Sequence, residues 1–213
     1  MMKHFPARLG VLAFALLLTL SADDKKKQPN FFLKPAQTVD IESIKLVAAR
    51  QNCENWAIAA GLETMLQQQD VALDQNFWVM RINGGEVCSL DVPSRETLMD
   101  VVNREFVLEN GRHVQLELHY LPGAPANTDA LIAGLKLKQP SLILVHGHVY
   151  YLTGATYDEY INRDGSRLFV INELRMANTF PHQPGLAFTK GHDNMDEIGG
   201  IITISATPVT KRW

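Results

Sequence analysis

Three stretches of the chain repeat their apolar residues at helical spacing. From Cys53 to about Gln69, Trp56, Ala57, Ala60, Thr64, Met65 and Leu66 recur every three to four residues, with Asn52 placed to cap. Asp74 to Ile82 is a second amphipathic stretch, ended by Gly84-Gly85. Ser94 to Phe106 is a third, with Ser94 as cap and Leu98, Met99, Val102 and Phe106 as its stripe. Val114 to Tyr120 alternates as a strand does. Thr128 to Leu137 predicts a short helix that Pro140 stops. Beyond Pro140 the character changes: Ser141–Thr153, Leu168–Asn172 and Gly200–Ser205 are β-rich, with Asn162-Arg163-Asp164-Gly165 as a hairpin signal. Helices crowd the first half and strands the second. That segregation predicts an α+β fold, a helical N-terminal half packed on an antiparallel β-sheet formed by the C-terminal half.

One apolar stretch belongs to neither pattern. Leu9 to Leu20 is an uncharged run of 12 residues, preceded by Lys3, His4 and Arg8 and followed by the small Ser21 and Ala22. This is the order of a secretory signal, and the run is shorter than the roughly 20 residues of a membrane span. The expected organisation is a signal over 1–22, a flexible leader over 23–40, one domain over 41–208 and a tail over 209–213. Ile41 to Ala49 is expected to be a helical turn or an approach segment. The expected localisation is exported, periplasmic or secreted, with no stable membrane span after cleavage. Losing Lys3 and Arg8 would take the net charge from −3 to −5.

Composition narrows the classes further. The chain has 213 residues, 46% hydrophobic and 20% charged, which suits one cored domain and excludes a disordered chain. A net charge of −3 gives no footprint for nucleic acid. Only two cysteines occur, Cys53 and Cys88, too few for a disulfide-dense miniprotein or a four-cysteine zinc module. His146 and His148 lack a third ligand at useful spacing, so neither metal nor cofactor is expected. Outside the cytosol the two cysteines can pair.

The chemistry must then come from few residues. Cys53 stands at the expected start of the first helix, where the dipole and free N–H groups favour a thiolate and can hold an oxyanion. His148 opens the strongest strand, and Asn172 ends the next one, which a hairpin is expected to lay beside it. Nucleophile, base and orienter are the parts of a cysteine hydrolase site.

These segments resemble the papain-like cysteine peptidases, especially compact bacterial members such as the domains that trim bacteriocin leaders. There a cysteine opens a helix rich in small residues, as Asn52-Cys53-Glu54-Asn55-Trp56-Ala57-Ile58-Ala59-Ala60 does here. A histidine opens a strand with glycine six residues on, as His148 to Gly154 does, and a strand ending in Asp or Asn follows, as Leu168–Asn172 does. The resemblance implies a papain-like fold and a Cys53, His148, Asn172 triad, with Gln51 and the Cys53 N–H as oxyanion hole, acting on a peptide or protein substrate.

The register of the first motif has two solutions. The family places a glutamine about six residues before its nucleophile, whereas Gln51 lies two before Cys53. Matching Gln51 to that glutamine puts the nucleophile position on Ala57, in a chain with the fold and no nucleophile. Capping by Asn52 favours Cys53. The leading expectation is an exported peptidase. The alternatives are an inactive papain-like binding module with a Cys53–Cys88 disulfide and a transglutaminase-type acyl transferase. The walls of the cleft are expected from the loops at Gly84-Gly85 and Pro122–Pro125.

Overall fold

The structure, a computed structural model, describes residues 31–41, 53, 55–85, 87–88, 92–125, 128–179 and 184–210. The signal, Gln51 and Asn52, most of the 41–49 segment and residues 211–213 of the tail lie outside the described residues.

The elements are β1 (Phe31–Asp40), α1 (Ala57–Gln67), α2 (Gln75–Asn83), α3 (Arg95–Val102), β2 (Glu105–Val107), β3 (His113–Pro122), α4 (Thr128–Lys136), β4 (Ser141–Val145), β5 (His148–Asn162), β6 (Arg167–Asn178), β7 (Leu186–Thr189) and β8 (Ile198–Pro208). The strands form one antiparallel sheet in the order β2-β3-β8-β4-β5-β6-β7. β1 joins it on β5, from Asp40 against Gly154 to Phe31 against Asn162, alongside the part of β5 that β4 does not reach. The chain is a mixed α+β protein.

Side-chain alternation on β4 divides the core. Leu142 and Leu144 point into a cluster with α1, α2 and α3, while Ile143 and Val145 point into a second cluster with Leu131, Ile132 and Leu135 of α4. Among the described residues the sheet therefore carries three helices on one face and one on the other, and β4, covered on both, is buried at all five residues. α4 departs from the expected two-part division because Thr128–Lys136 covers the face that α1–α3 leave open.

Local signals set the helix ends. The Asp74 carboxylate accepts from the Phe77 N–H at 2.8 Å, the Ser94 hydroxyl accepts from the Thr97 N–H at 3.2 Å, and Gly84 closes α2 in the left-handed region at φ 75°. α1 differs. It starts at Ala57, not Cys53, with Trp56 in the capping position and no side-chain cap.

Two strand expectations change as well. Ser141–Thr153 is not one strand but a hairpin, because His146 and Gly147 both take positive φ, 50° and 80°, between the paired Val145 and His148. This is the two-residue primed turn whose twist matches the strands it joins. Residues 31–40 of the expected leader are strand β1, a second correction. Pro35 is tolerated there because β1 is an edge strand, with an irregularity between Lys34 and Gln37 where Ala36 takes φ 50°.

α1 is held to β5 by a buried polar contact. The Tyr151 hydroxyl lies 3.0 Å from Thr64 Oγ1 and donates to the Ala60 carbonyl at 3.1 Å. Burial pushes its phenol well above the usual range, further than the Thr64 hydrogen bond lowers it. Above pH about 10 unfolded tyrosine ionises while folded Tyr151 keeps its proton, so stability falls as pH rises there. Tyr151→Phe is expected to cost about 1 kcal/mol at neutral pH and to flatten that alkaline decline in urea titrations. An unchanged alkaline slope would place its source elsewhere.

Candidate functional site

The expected catalytic residues fall in three separate places. Cys53 is bonded to Cys88, with Cα atoms 5.2 Å apart, and there is no free cysteine. The disulfide ties the chain ahead of α1 to the loop after α2. Trp56, 5% exposed, reinforces it by donating its indole N–H to the Val87 carbonyl at 2.7 Å, one residue from Cys88. The Cys53 carbonyl accepts from the Trp56 N–H at 3.1 Å. Cys53 therefore sits one turn outside the helix, packed against the α1–α3 cluster, and Ala57 occupies the first helical position.

His148 stands at the tip of the β4–β5 hairpin and is exposed. It forms a ladder pair with Val145, whose side chain enters the cluster on the α4 face. Paired residues share a face. His148 and Cys53 thus belong to opposite sides of the sheet. Nor does His146 act as its same-face neighbour, since the turn breaks the alternation. His146 Nε2 instead lies 3.2 Å from Glu197 Oε2 at the surface.

Asn172 is not beside His148. Thr156 pairs with Glu173 and Tyr157 with Ile171, so Asn172 is the extra residue of a bulge eight residues along β5 from His148. At about 3.3 Å per residue that is roughly 27 Å of strand. Its amide hydrogen-bonds Asp158. The Ala36 backbone N–H and then Asn172 hold that carboxylate below its usual range. The residue that the ladder brings toward His148 is Asn178, paired with Tyr150 two positions from the histidine and on the same face. Hairpin arithmetic carries this signal: every pair from Tyr150–Asn178 to Leu152–Met176 and from Tyr157–Ile171 to Ile161–Arg167 sums to 328. A turn at Arg163-Asp164 therefore sends Tyr150 opposite Asn178 and leaves Asn172 well along β5 from His148.

Beyond the helices, the α1 side of β5 and β6 carries a polar cluster. Arg175 donates to Asp40 Oδ1 through Nε at 2.9 Å and Nη2 at 2.7 Å, to Thr156 Oγ1 at 2.8 Å, and also to Glu173. Burial works against its charge, yet Glu173 and Asp40 together raise its pKa. Gly154 makes room for this clamp, since a Cβ there would lie 2.0 Å from Asp40 Oδ1. Among the described residues no three His, Cys, Asp or Glu side chains are grouped as metal ligands.

On the opposite face, α4 covers only part of the sheet. Between it and β3, β8 and the start of β4 lies a cavity of about 500 Å³. Ala130, Ala133, Gly134 and Leu137 form one wall; His119, Thr203, Ser205 and Ser141 supply polar groups from the strands. Pro125, from one of the two loops expected to wall the cleft, borders this cavity, which is not the expected cleft because it lies on the face opposite Cys53. The Gly84-Gly85 loop follows α2 on the other face.

No protein-family model, curated protein or solved structure matches the chain. The class defined by the structure is an α+β protein on an eight-stranded antiparallel sheet, with its two cysteines joined. Among the described residues no helix is long and apolar enough to cross a membrane.

Proposed function

We propose that this chain is an exported, papain-like binding module that holds a peptide or protein segment without cutting it. The observation that carries the reading is the Cys53–Cys88 bond. A sulfur in a disulfide has no lone thiolate to attack a carbonyl, and the other positions reinforce the point. Helix α1 opens on Ala57, which agrees with the register that matches Gln51 to the family glutamine and leaves the nucleophile position without a thiol. His148 faces away from Cys53, and Asn172 serves Asp158. A disulfide is also compatible with an oxidising compartment.

The cavity beside α4 gives such a segment a place to bind. Its volume is in the range of ligand sites, and its strand wall presents Ser141, Thr203 and Ser205 to a backbone or polar side chain. The test is capture on the immobilised full chain from a peptide library, read by mass spectrometry with and without reductant. Retained peptides are expected to be intact in both conditions. Cleavage that appears on reduction and disappears in Cys53→Ala would replace the binding reading with the peptidase.

Gly134→Leu probes the cavity directly. A Cβ at this position meets only the Gln139 carbonyl, at 3.8 Å, so the backbone accepts it, while the rest of the side chain fills the space. Retention is expected to fall at least tenfold with no loss of stability, because leucine is the better helix former by somewhat under 1 kcal/mol. Undiminished retention would move the binding surface elsewhere.

A further inference from the structure

The far end of the β1–β5–β6 ribbon carries exposed apolar side chains on both faces. Leu33, Tyr160 and Leu168 stand in one row across the three strands, with Phe31 against the Tyr160 ring at 5.1 Å between centroids. On the opposite face Phe32 pairs with Ile161. The exposures are large for such side chains: 42% at Phe31, 63% at Phe32, 40% at Leu33 and 55% at Leu168. Single exposed apolar residues need no explanation, but a contiguous group does.

Three cations surround this end. Lys34 and Arg167 flank Glu159 at 3.4 and 3.0 Å, and Arg163 is exposed on the turn beside Asp164. Asp158, Glu159 and Asp164 match these cations in number, but Glu159 is shared by Lys34 and Arg167, so the face that carries Phe32 holds a net positive charge, and Lys25–Lys27 precede the ribbon in sequence.

From this arrangement we infer that the ribbon tip docks on an anionic lipid surface, inserting Phe31, Phe32, Leu33 and Leu168 into the interface. The two-sided exposure favours a fluid occupant, because a rigid partner, a second copy included, covers one face of a ribbon and leaves the other wet. Aromatic and aliphatic side chains beside basic ones are the composition that holds a peripheral protein at the headgroup boundary. The inference is independent of the peptide-binding reading, since α4 and its cavity are not used.

The test uses the full chain and vesicles of phosphatidylcholine with or without phosphatidylglycerol. An environment-sensitive dye is placed on Leu168→Cys or, as a control, on Leu137→Cys, which is 70% exposed on the turn after α4. The native cysteines are bonded to each other, so each variant offers one thiol. Anionic vesicles are expected to blue-shift the dye at 168 and not at 137. Arg163→Gln should weaken partitioning roughly fivefold, the equivalent of one basic residue near an anionic surface. Equal shifts at both positions would mean tethering by the N-terminal run alone and would overturn the inference. So would no shift at 168, a shift already present without vesicles (coverage by the chain's own N-terminal segment), or one that grows with protein concentration in their absence (self-association).

Discussion

Replacing both Cys53 and Cys88 by serine is expected to lower stability by about 4 kcal/mol, the loop-closure value for a sequence separation of 35. The bond closes a loop containing α1 and α2, so its loss frees the unfolded chain and releases the segment that Trp56 anchors at Val87. Urea denaturation of the variant and of the reduced wild type should give the same lowered midpoint. A drop in the serine variant that reduction does not reproduce would locate the effect in packing at Cys53. No drop in either would remove the disulfide as a staple. Peptide retention at the α4 cavity should survive in the variant below its transition, because the bond and the cavity lie on opposite sides of the sheet.

A loss somewhat smaller than that is expected from Gly61→Val, at the seam between α1 and the sheet. A Cβ at this position would lie 2.5 and 2.8 Å from the two methyls of Leu142, which is fully buried, so the leucine must shift within the core to admit it. Overpacking of this kind costs about 1–3 kcal/mol, and valine adds a second γ-carbon to the clash. Leu142→Ala alone should cost about 2–5 kcal/mol through the cavity it leaves. The double variant should be more stable than the sum of the two losses predicts, because each change supplies what the other lacks. Additive losses in denaturant titrations would show that Gly61 and Leu142 are not the contact that sets the helix height.

These contacts mark the boundary of what the chain's pattern could reveal. α2 and α3 were legible because their caps are local: Asp74, Ser94 and Gly84 act on backbone groups within four residues. The start of α1 was not, since Asn52 and Trp56 both stand ahead of apolar residues and only packing chooses between them. His148 as the first residue of a strand was legible, but the face it presents was not. One turn residue more or fewer reverses the parity of every side chain after it.

Asn172 shows a different kind of failure. The Asp-Gly turn and the strand were both visible, and the pairing rule alone would have carried the partner of His148 well past Asn172. The strand was ended too early because Glu173 and Arg175 look like surface residues. In the structure they remain in the ladder, because Asp40 and Thr156 satisfy the guanidinium from neighbouring strands. Likewise Pro35 marks residues 31–40 as a leader in sequence, and only the free length of β5 beyond β4 gives that segment a partner.

By itself, then, the sequence determined the α+β class, the order of most helices and strands, and that two cysteines would decide the chemistry. Each of these depends on interactions within a few residues or on a count. Tertiary structure decided that Cys53 meets Cys88, that His148 lies across the sheet from both, and that β1 completes the sheet. Those outcomes depend on which faces and edges remain uncovered once the chain has packed, a property of the whole fold that no short window contains.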